Sequence, residues 1–177
     1  MMFSQKAPCW CPFENRHPRT DNEYFEALAA AVFSARFNPD IVRTRWPSIR
    51  RAFGDFELRL VACWPHSEME HLLASPGIIR NSKKLTAILR NARDLLKKAE
   101  RYGSVRAYLN SCGGDGSVLI DELDSWMHLH WRAIHPLFSV LRRDSSKEAV
   151  SRVMYWLNAK ESPLNHIARA RHAAGLA

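Results

Sequence analysis

The chain has 177 residues, of which 46% are hydrophobic, so it can form one domain with a substantial core. Its 26 Lys and Arg residues against 18 Asp and Glu residues give a formal net charge of +8, which favours an anionic partner such as nucleic acid. No apolar run approaches the roughly 18 residues of a membrane span, and no secretory signal is recognisable. We therefore expect a cytoplasmic protein whose four cysteines are thiols or metal ligands rather than disulfides.

The first 20 residues are rich in proline and show little periodicity, which is typical of an irregular arm. Residues 21–177 are predicted to form a single helical domain. The first helix is expected to begin near Asp21 or Asn22, because either side chain can cap it.

A second helix is predicted after the break that interrupts the first one. Asn38 can cap it, with Pro39 as its first residue. Pro47 is expected to kink or restart this helix, because proline lacks the N–H that an inner helical position donates. Gly54 then ends the segment, and a third helix is predicted with Ser67 as its cap.

The segment from Gly77 to Gly103 contains the clearest helical pattern of the chain. Apolar residues recur at helical spacing and form one stripe, namely Leu85, Ile88, Leu89, Ala92, Leu95, Leu96 and Ala99. The opposite face carries Arg90, Arg93, Lys97 and Arg101, and a solvated helix surface is the simplest interpretation of these cations. Gly103 is well placed to end the helix.

The start of this helix predicts a phosphate-binding site. Ile78 and Ile79 are expected to anchor the preceding loop in the core. The residues that follow then lie at the helix N-terminus, where backbone N–H groups point outward: Arg80, Asn81, Ser82, Lys83 and Lys84. Basic and hydroxyl side chains at a helix N-terminus suit a phosphate group.

The remaining sequence also predicts helices. A short helix, "SVRAYLN", precedes the glycine-rich break "SCGGDGS". No segment shows convincing strand alternation, so the predicted class is all-α with one core. Further helices are plausible at 118–127, 136–143, 146–159 and 163–174.

Three segments together resemble the 3-methyladenine DNA glycosylase I family. They are "YFEALAAAVFSARFNPDIVRTRWPSIRRAFGDF", "MEHLLASPGIIRNSKKLTAILRNARDLL" and "YGSVRAYL". The string "GIIRN…K…AI..NA" is the most specific part, because a generic helix has no reason to keep it. The resemblance covers roughly residues 22–110. It implies a compact single-domain helical bundle of the helix-hairpin-helix glycosylase type, which binds double-stranded DNA as a monomer.

The resemblance also implies an activity, namely hydrolysis of the N-glycosidic bond of alkylated purines in base-excision repair. A purine alkylated at N3 carries a positive charge and is already a good leaving group. Such an enzyme needs mainly to extract the base from the stack, place it between aromatic rings and exclude normal bases.

Several positions depart from the family pattern. The family places a glutamate on the first helix, facing the bound base, where this chain has Ala31. A family tryptophan nearby is replaced by Pro39. The loop glycine becomes Arg36, and the intercalating leucine becomes Phe37, which is a reasonable wedge between base steps. Alternatively, Phe37 is an ordinary core aromatic before a helix break.

The segment "WMHLHWRAIH" is a second candidate for chemistry. Trp126 and Trp131 could stack on an extracted base, and His128 and His130 could act as an acid or a base near neutral pH. The alternative is a helix whose apolar side chains at this spacing pack into the core.

The family also binds a structural zinc through cysteines and histidines from both termini. The residues of this chain with suitable ligand types are Cys9, Cys11, His166 and His172. The alternative is two exposed thiols and two solvated histidines.

Two functions of different classes follow from these observations. One is an alkylpurine DNA glycosylase with a rebuilt pocket. The other is a non-catalytic DNA-binding protein descended from the glycosylases, which the loss of the pocket glutamate and tryptophan favours. The weak demands of an already cationic leaving group favour the glycosylase, which is the preferred interpretation. A third interpretation, a helical adaptor that binds acidic protein, would leave "GIIRNSKK" unexplained.

The zinc interpretation predicts a metal-dependent stability. Purified protein should carry close to one equivalent of zinc, and a chelator should lower its melting temperature, because binding free energy of a structural metal contributes to folding. Elemental analysis and thermal unfolding measure both quantities. Metal-free protein with an undiminished melting temperature would contradict the site.

Overall fold

The computed structural model describes residues 10, 12–13, 18–35 and 37–111. Over these residues the chain is helical and has no strand, so the all-α prediction is confirmed. None of the described helices is long and apolar enough to cross a membrane. The helices are α1 (Asp21–Ser34), α2 (Pro39–Ala52), α3 (Leu58–Ala62), α4 (Glu68–Ala74), α5 (Ser82–Tyr102) and α6 (Val105–Ser111), with one turn of 3-10 helix at Gly54–Phe56. The helices predicted between residues 118 and 174 lie outside the described residues.

Helix α1 forms the centre of the fold. All of its residues from Tyr24 to Ser34 are buried, and α2, α3, α5 and α6 pack around it. The sequence permits this because its middle is a run of alanines, which let neighbouring helices approach closely. Glu26 is the one charged side chain among these buried residues.

The N-terminus of α1 supplies caps to two other helices. The Asp21 Oδ1 atom accepts a hydrogen bond from the Val105 N–H at 2.8 Å, at the start of α6. The Asn22 Oδ1 atom accepts one from the Leu58 N–H at 2.9 Å, at the start of α3. Thr20 occupies the N-cap position of α1 itself, so the prediction that Asp21 or Asn22 caps this helix is wrong. Their carboxylate and amide satisfy buried donors of distant segments instead.

Helix α2 begins as predicted and continues further than predicted. Asn38 is its N-cap and accepts a hydrogen bond from the Asp40 N–H at 2.9 Å, with Pro39 as first residue. However, Pro47 lies inside a continuous helix, so the expectation that the helix restarts there is wrong. Packing outweighs the lost backbone hydrogen bond, because buried side chains flank the proline on both sides: Val42, Trp46 and Ile49.

Helix α3 was not predicted from the sequence. It has five residues, which is too short for helical periodicity to be recognised. Arg93 from α5 stabilises its end, donating to the Ala62 carbonyl at 3.3 Å and to the Trp64 carbonyl at 2.9 Å. Ser67 precedes α4 as predicted, but its side chain makes no capping hydrogen bond.

Helix α5 follows its predicted pattern closely. The apolar stripe faces the core, with Leu96 only partly buried, and the cations from Arg90 to Arg101 lie on the exposed side. Gly103 ends the helix with φ of 88° in the left-handed conformation. Lys97 pairs with Asp94 at 3.2 Å on that exposed face.

Gly77 brings the loop before α5 against α2. Its φ is +78°, and a Cβ atom at this position would lie 2.7 Å from the Ser48 Cβ atom and 2.8 Å from the Ser48 Oγ atom. The side chains of Ile78 and Ile79 then enter the core, as expected. Glycine is therefore required here both for its backbone conformation and for the close approach of the two segments.

We predict that Gly77→Ala lowers the free energy of unfolding more than Gly103→Ala does. Both glycines have positive φ, so each substitution costs about 1–2 kcal/mol of backbone strain. A Cβ at Gly103 meets nothing within 4 Å, whereas one at Gly77 clashes with Ser48, which adds about 1–3 kcal/mol. Urea unfolding of both variants measures the difference.

Ser48→Gly provides the control for this comparison. It should recover part of the loss in a Gly77→Ala background, since it removes the atoms that clash. Equal losses at the two glycines, or no recovery with Ser48→Gly, would contradict the close approach.

Candidate nucleic-acid interface

A surface groove of about 450 Å³ lies between the start of α2 and the loop before α5. These segments are about 40 residues apart in the sequence, and the contact at Gly77 brings them together. The groove is lined by Phe37, Ile41 and Arg45 on one side and by Gly77, Ile78, Ile79 and Arg80 on the other.

The apolar part of the groove is exposed to solvent. The side chain of Phe37 is 39% exposed and that of Ile41 is 41% exposed. The alternative interpretation of Phe37 as a core aromatic is therefore wrong. Other phenylalanines, such as Phe25, Phe33 and Phe53, are fully buried. Phe37 and Ile41 both line the groove, so their exposed apolar side chains together form a candidate contact surface.

The cationic part of the groove consists of exposed arginines. Arg45 lies on α2 and Arg80 in the loop before α5, and both side chains line the groove. Lys83 is exposed nearby, in the first turn of α5. Apolar side chains flanked by cations suit DNA, in which stacked bases lie between two charged backbones.

Ile41 and Arg45 were missed in the sequence, although a signal was present. Ile41 and Arg45 are four residues apart, which places them on one side of the helix that begins at Pro39, and Phe37 precedes that helix by two residues.

At the N-terminus of α5 one backbone N–H is capped by a side chain, and other polar N–H groups lie nearby. Asn81 is the N-cap, and its Oδ1 atom accepts a hydrogen bond from the Lys84 N–H at 3.1 Å. The first amides of a helix have no partner within the helix, and their dipoles favour a negative charge. With its oxygen engaged, Asn81 can still offer its NH₂ group to a phosphate.

Lys84 differs from the other predicted DNA-binding residues. Its Nζ atom donates to the Phe33 carbonyl at 2.5 Å and to the Ala35 carbonyl at 2.8 Å. The same Nζ lies 5.0 Å from the centre of the Phe37 ring. The ammonium therefore binds the end of α1, and a direct contact of Lys84 with DNA stays a prediction.

Ala31 is buried in α1, with its side chain 4% exposed. The buried carboxylate of this helix is Glu26, five residues earlier. Its Oε1 atom accepts a hydrogen bond from the Trp46 Nε1–H at 2.9 Å and lies 3.9 Å from the Arg50 Nε atom. Because its oxygen is engaged by Trp46, Glu26 serves as a structural acceptor within the core.

Several predicted site residues lie outside the described residues, and their roles stay predictions. Among the described residues, no group of three or more potential metal ligands comes together. The predicted residues that the structure does not describe fall into three groups. Arg36 is the loop residue, and Trp126, His128, His130 and Trp131 are the candidates for base contact and proton transfer. The candidate zinc ligands are Cys9, Cys11, His166 and His172.

The helical fold agrees with the result of a comparison with protein families. The model described as methyladenine glycosylase matches residues 11–133, which is more than half of the chain. The chain belongs to the methyladenine glycosylase family. The resemblance inferred from the sequence is thereby confirmed, and with it the expectation of an enzyme of base-excision repair that acts on DNA.

Solved structures of 3-methyladenine DNA glycosylase I share this fold. A variant in complex with 3-methyladenine matches with a TM-score of 0.61 and 23% identity, over 71% of this chain and 77% of that chain. The protein from Staphylococcus aureus matches with a TM-score of 0.60 and 22% identity, over the same shares. Another structure has a TM-score of 0.60 and 22% identity, over 72% of this chain and 84% of that chain. At these identities the likeness is one of fold.

We predict that replacing both Arg80 and Lys83 by alanine weakens binding to all duplex sequences alike. Each phosphate contact that is lost should reduce the slope of log K against log salt by about 0.9, so the double variant should lose about 2. Fluorescence anisotropy with unmodified duplexes over a salt series measures this slope.

Arg90→Ala combined with Arg101→Ala is the matched control, since both arginines are exposed on the solvated face of α5. This double variant should keep the wild-type slope. An unchanged slope in a folded Arg80→Ala, Lys83→Ala protein would exclude the helix N-terminus as a phosphate site.

Proposed function

We propose that this protein hydrolyses the N-glycosidic bond of cationic alkylated purines in double-stranded DNA and acts as a monomer. In this proposal Phe37 enters the base stack while the groove beside it binds the DNA backbone. The observation that carries the proposal is an exposed aromatic ring that lines the same groove as two arginines from separate segments, Arg45 and Arg80.

The surroundings of Phe37 support a wedge. A side chain that separates base steps has to project from the surface and has to be held by the structure beneath it. Phe37 is 39% exposed, lies three residues after the end of the buried helix α1 and immediately precedes Asn38, the cap of α2. The ring therefore belongs to a short connection between two helices, α1 and α2, that both pack into the core.

The cations around the wedge support a backbone contact. Arg45 and Arg80 lie on opposite sides of the groove, and Lys83 extends the positive surface to the N-terminus of α5. Contacts of this kind carry no sequence information and fix the position of the protein on the duplex. They suit an enzyme that searches for rare damaged bases among all sequences.

The absence of a carboxylate at Ala31 determines the expected substrates. Loss of a preorganised group that stabilises developing charge commonly costs on the order of 10²–10³ in rate. A cationic alkylpurine tolerates such a loss, because its bond to the sugar is already weakened. A neutral lesion does not. Trp126 and Trp131 remain our candidates for stacking on the extracted base.

We predict slow release of 3-methyladenine or 7-methylguanine from methylated duplex DNA, with no detectable release of uracil or hypoxanthine. The measurement is single-turnover base release at a large excess of enzyme, followed by chromatography. No methylated base above the spontaneous rate would contradict the proposed activity. Duplex binding that persists in that experiment would favour the non-catalytic DNA-binding function.

The wedge is tested separately by Phe37→Ala. Extraction of a base costs a few kcal/mol of lost stacking, so removal of the ring should slow release by about 10-fold or more. Leu60→Ala is the matched control, because Leu60 is a large apolar side chain of similar exposure on α3. Equal rates for both variants would exclude Phe37 as the wedge.

A further inference from the structure

We propose that Lys84 is a positioning residue, which fixes the Phe37 ring relative to the phosphate-binding N-terminus of α5. The inference rests on the proposed function, since it concerns how Phe37 is held at a fixed position relative to the residues that contact the DNA backbone. It assigns Lys84 an internal role in place of a direct contact with DNA.

The first observation is the way in which Lys84 closes the end of α1. The last carbonyls of an α-helix have no donor within the helix, and a cation near them is favourable. The last turn of α1 contains no basic residue. The Lys84 ammonium, from α5, supplies the missing cation and donates to the Phe33 carbonyl at 2.5 Å and to the Ala35 carbonyl at 2.8 Å.

The second observation is the contact between Lys84 and the ring. The Lys84 Nζ atom lies 5.0 Å from the Phe37 ring centre, which is within the range of a cation–π interaction. The ring is nevertheless 39% exposed. The ammonium thus contacts the ring while part of the ring stays exposed and available to contact DNA.

The third observation is that Lys84 is held in the first turn of α5. Its backbone N–H is bonded to the Asn81 side chain at 3.1 Å, within the first turn of the helix. Lys83, the preceding residue, is exposed. The first turn of α5 therefore carries the predicted phosphate contacts. The same turn also binds, through the Lys84 side chain, the segment that carries Phe37.

A test in the free protein uses amide hydrogen exchange of residues 35–38. The Ala35 N–H bonds to the Ala31 carbonyl at 3.0 Å, and the Phe37 N–H to the Ser34 carbonyl at 3.1 Å. Lys84→Met keeps the apolar stem and removes the ammonium, so exchange of these amides should become at least several-fold faster. Lys83→Met, the neighbouring control, should leave exchange in this segment unchanged. Unchanged exchange in Lys84→Met would overturn the proposal.

A test with DNA separates positioning from phosphate contact. Lys84→Met should keep the wild-type salt slope and slow base release by on the order of 10-fold, because a displaced wedge acts less effectively. Lys83→Met should lower the salt slope by about 0.9, as expected for one lost phosphate contact. A similar loss of slope in Lys84→Met would assign Lys84 to the phosphates and overturn the proposal.

A double-mutant cycle shows whether Lys84 acts through Phe37. In a Phe37→Ala background, Lys84→Met should have little further effect on release, whereas independent contributions would multiply. Lys84→Arg should restore part of the rate by returning a cation. Equal effects of Lys84→Met with and without the ring would overturn the proposal. If the wild-type protein released no base, the proposed function would fail, and the exchange experiment alone would decide on Lys84.

Discussion

The burial of α1 from Tyr24 to Ser34 is the constraint on which the rest of the described structure depends. A buried stretch of helix cannot leave its polar groups to water, so other elements have to satisfy them. Trp46 donates to the buried Glu26 in its interior, and Lys84 donates to the carbonyls at its end. In return, Asp21 and Asn22 at its start cap α6 and α3. Hydrogen bonds at both ends of α1 thus link it to α3, α5 and α6.

This arrangement also produces the functional surface. Because α1 ends beside the first turn of α5, the segment that carries Phe37 emerges next to a helix N-terminus. The close approach at Gly77 then places Arg80 across the groove from Arg45. The apolar wedge and the cations therefore come from three different segments. Their juxtaposition follows from the packing of the core and needs no dedicated binding domain.

The sequence predicted the parts of this structure that depend on local patterns. The long stripe of α5, the cap at Asn38 and the glycine end at Gly103 all follow from spacing and backbone chemistry, and the structure agrees. The cap roles of Asp21 and Asn22 were wrong because their partners lie more than 30 residues away. The role of the Lys84 ammonium was missed for the same reason. Long-range contacts of polar side chains leave no periodic signal in a single sequence.

The central claim is that DNA covers the groove beside Phe37 and leaves the far end of α5 exposed. Hydroxyl-radical footprinting with and without a duplex that carries an abasic-site analogue tests this directly, because it reports the exposure of individual side chains. Among the described residues, the exposed large apolar side chains are Phe37, Ile41, Leu60 and Tyr102. The account predicts that oxidation of Phe37 and Ile41 falls on binding, while that of Leu60 and Tyr102 is unchanged. Protection of Leu60 and Tyr102 with continued oxidation of Phe37 and Ile41 would contradict it.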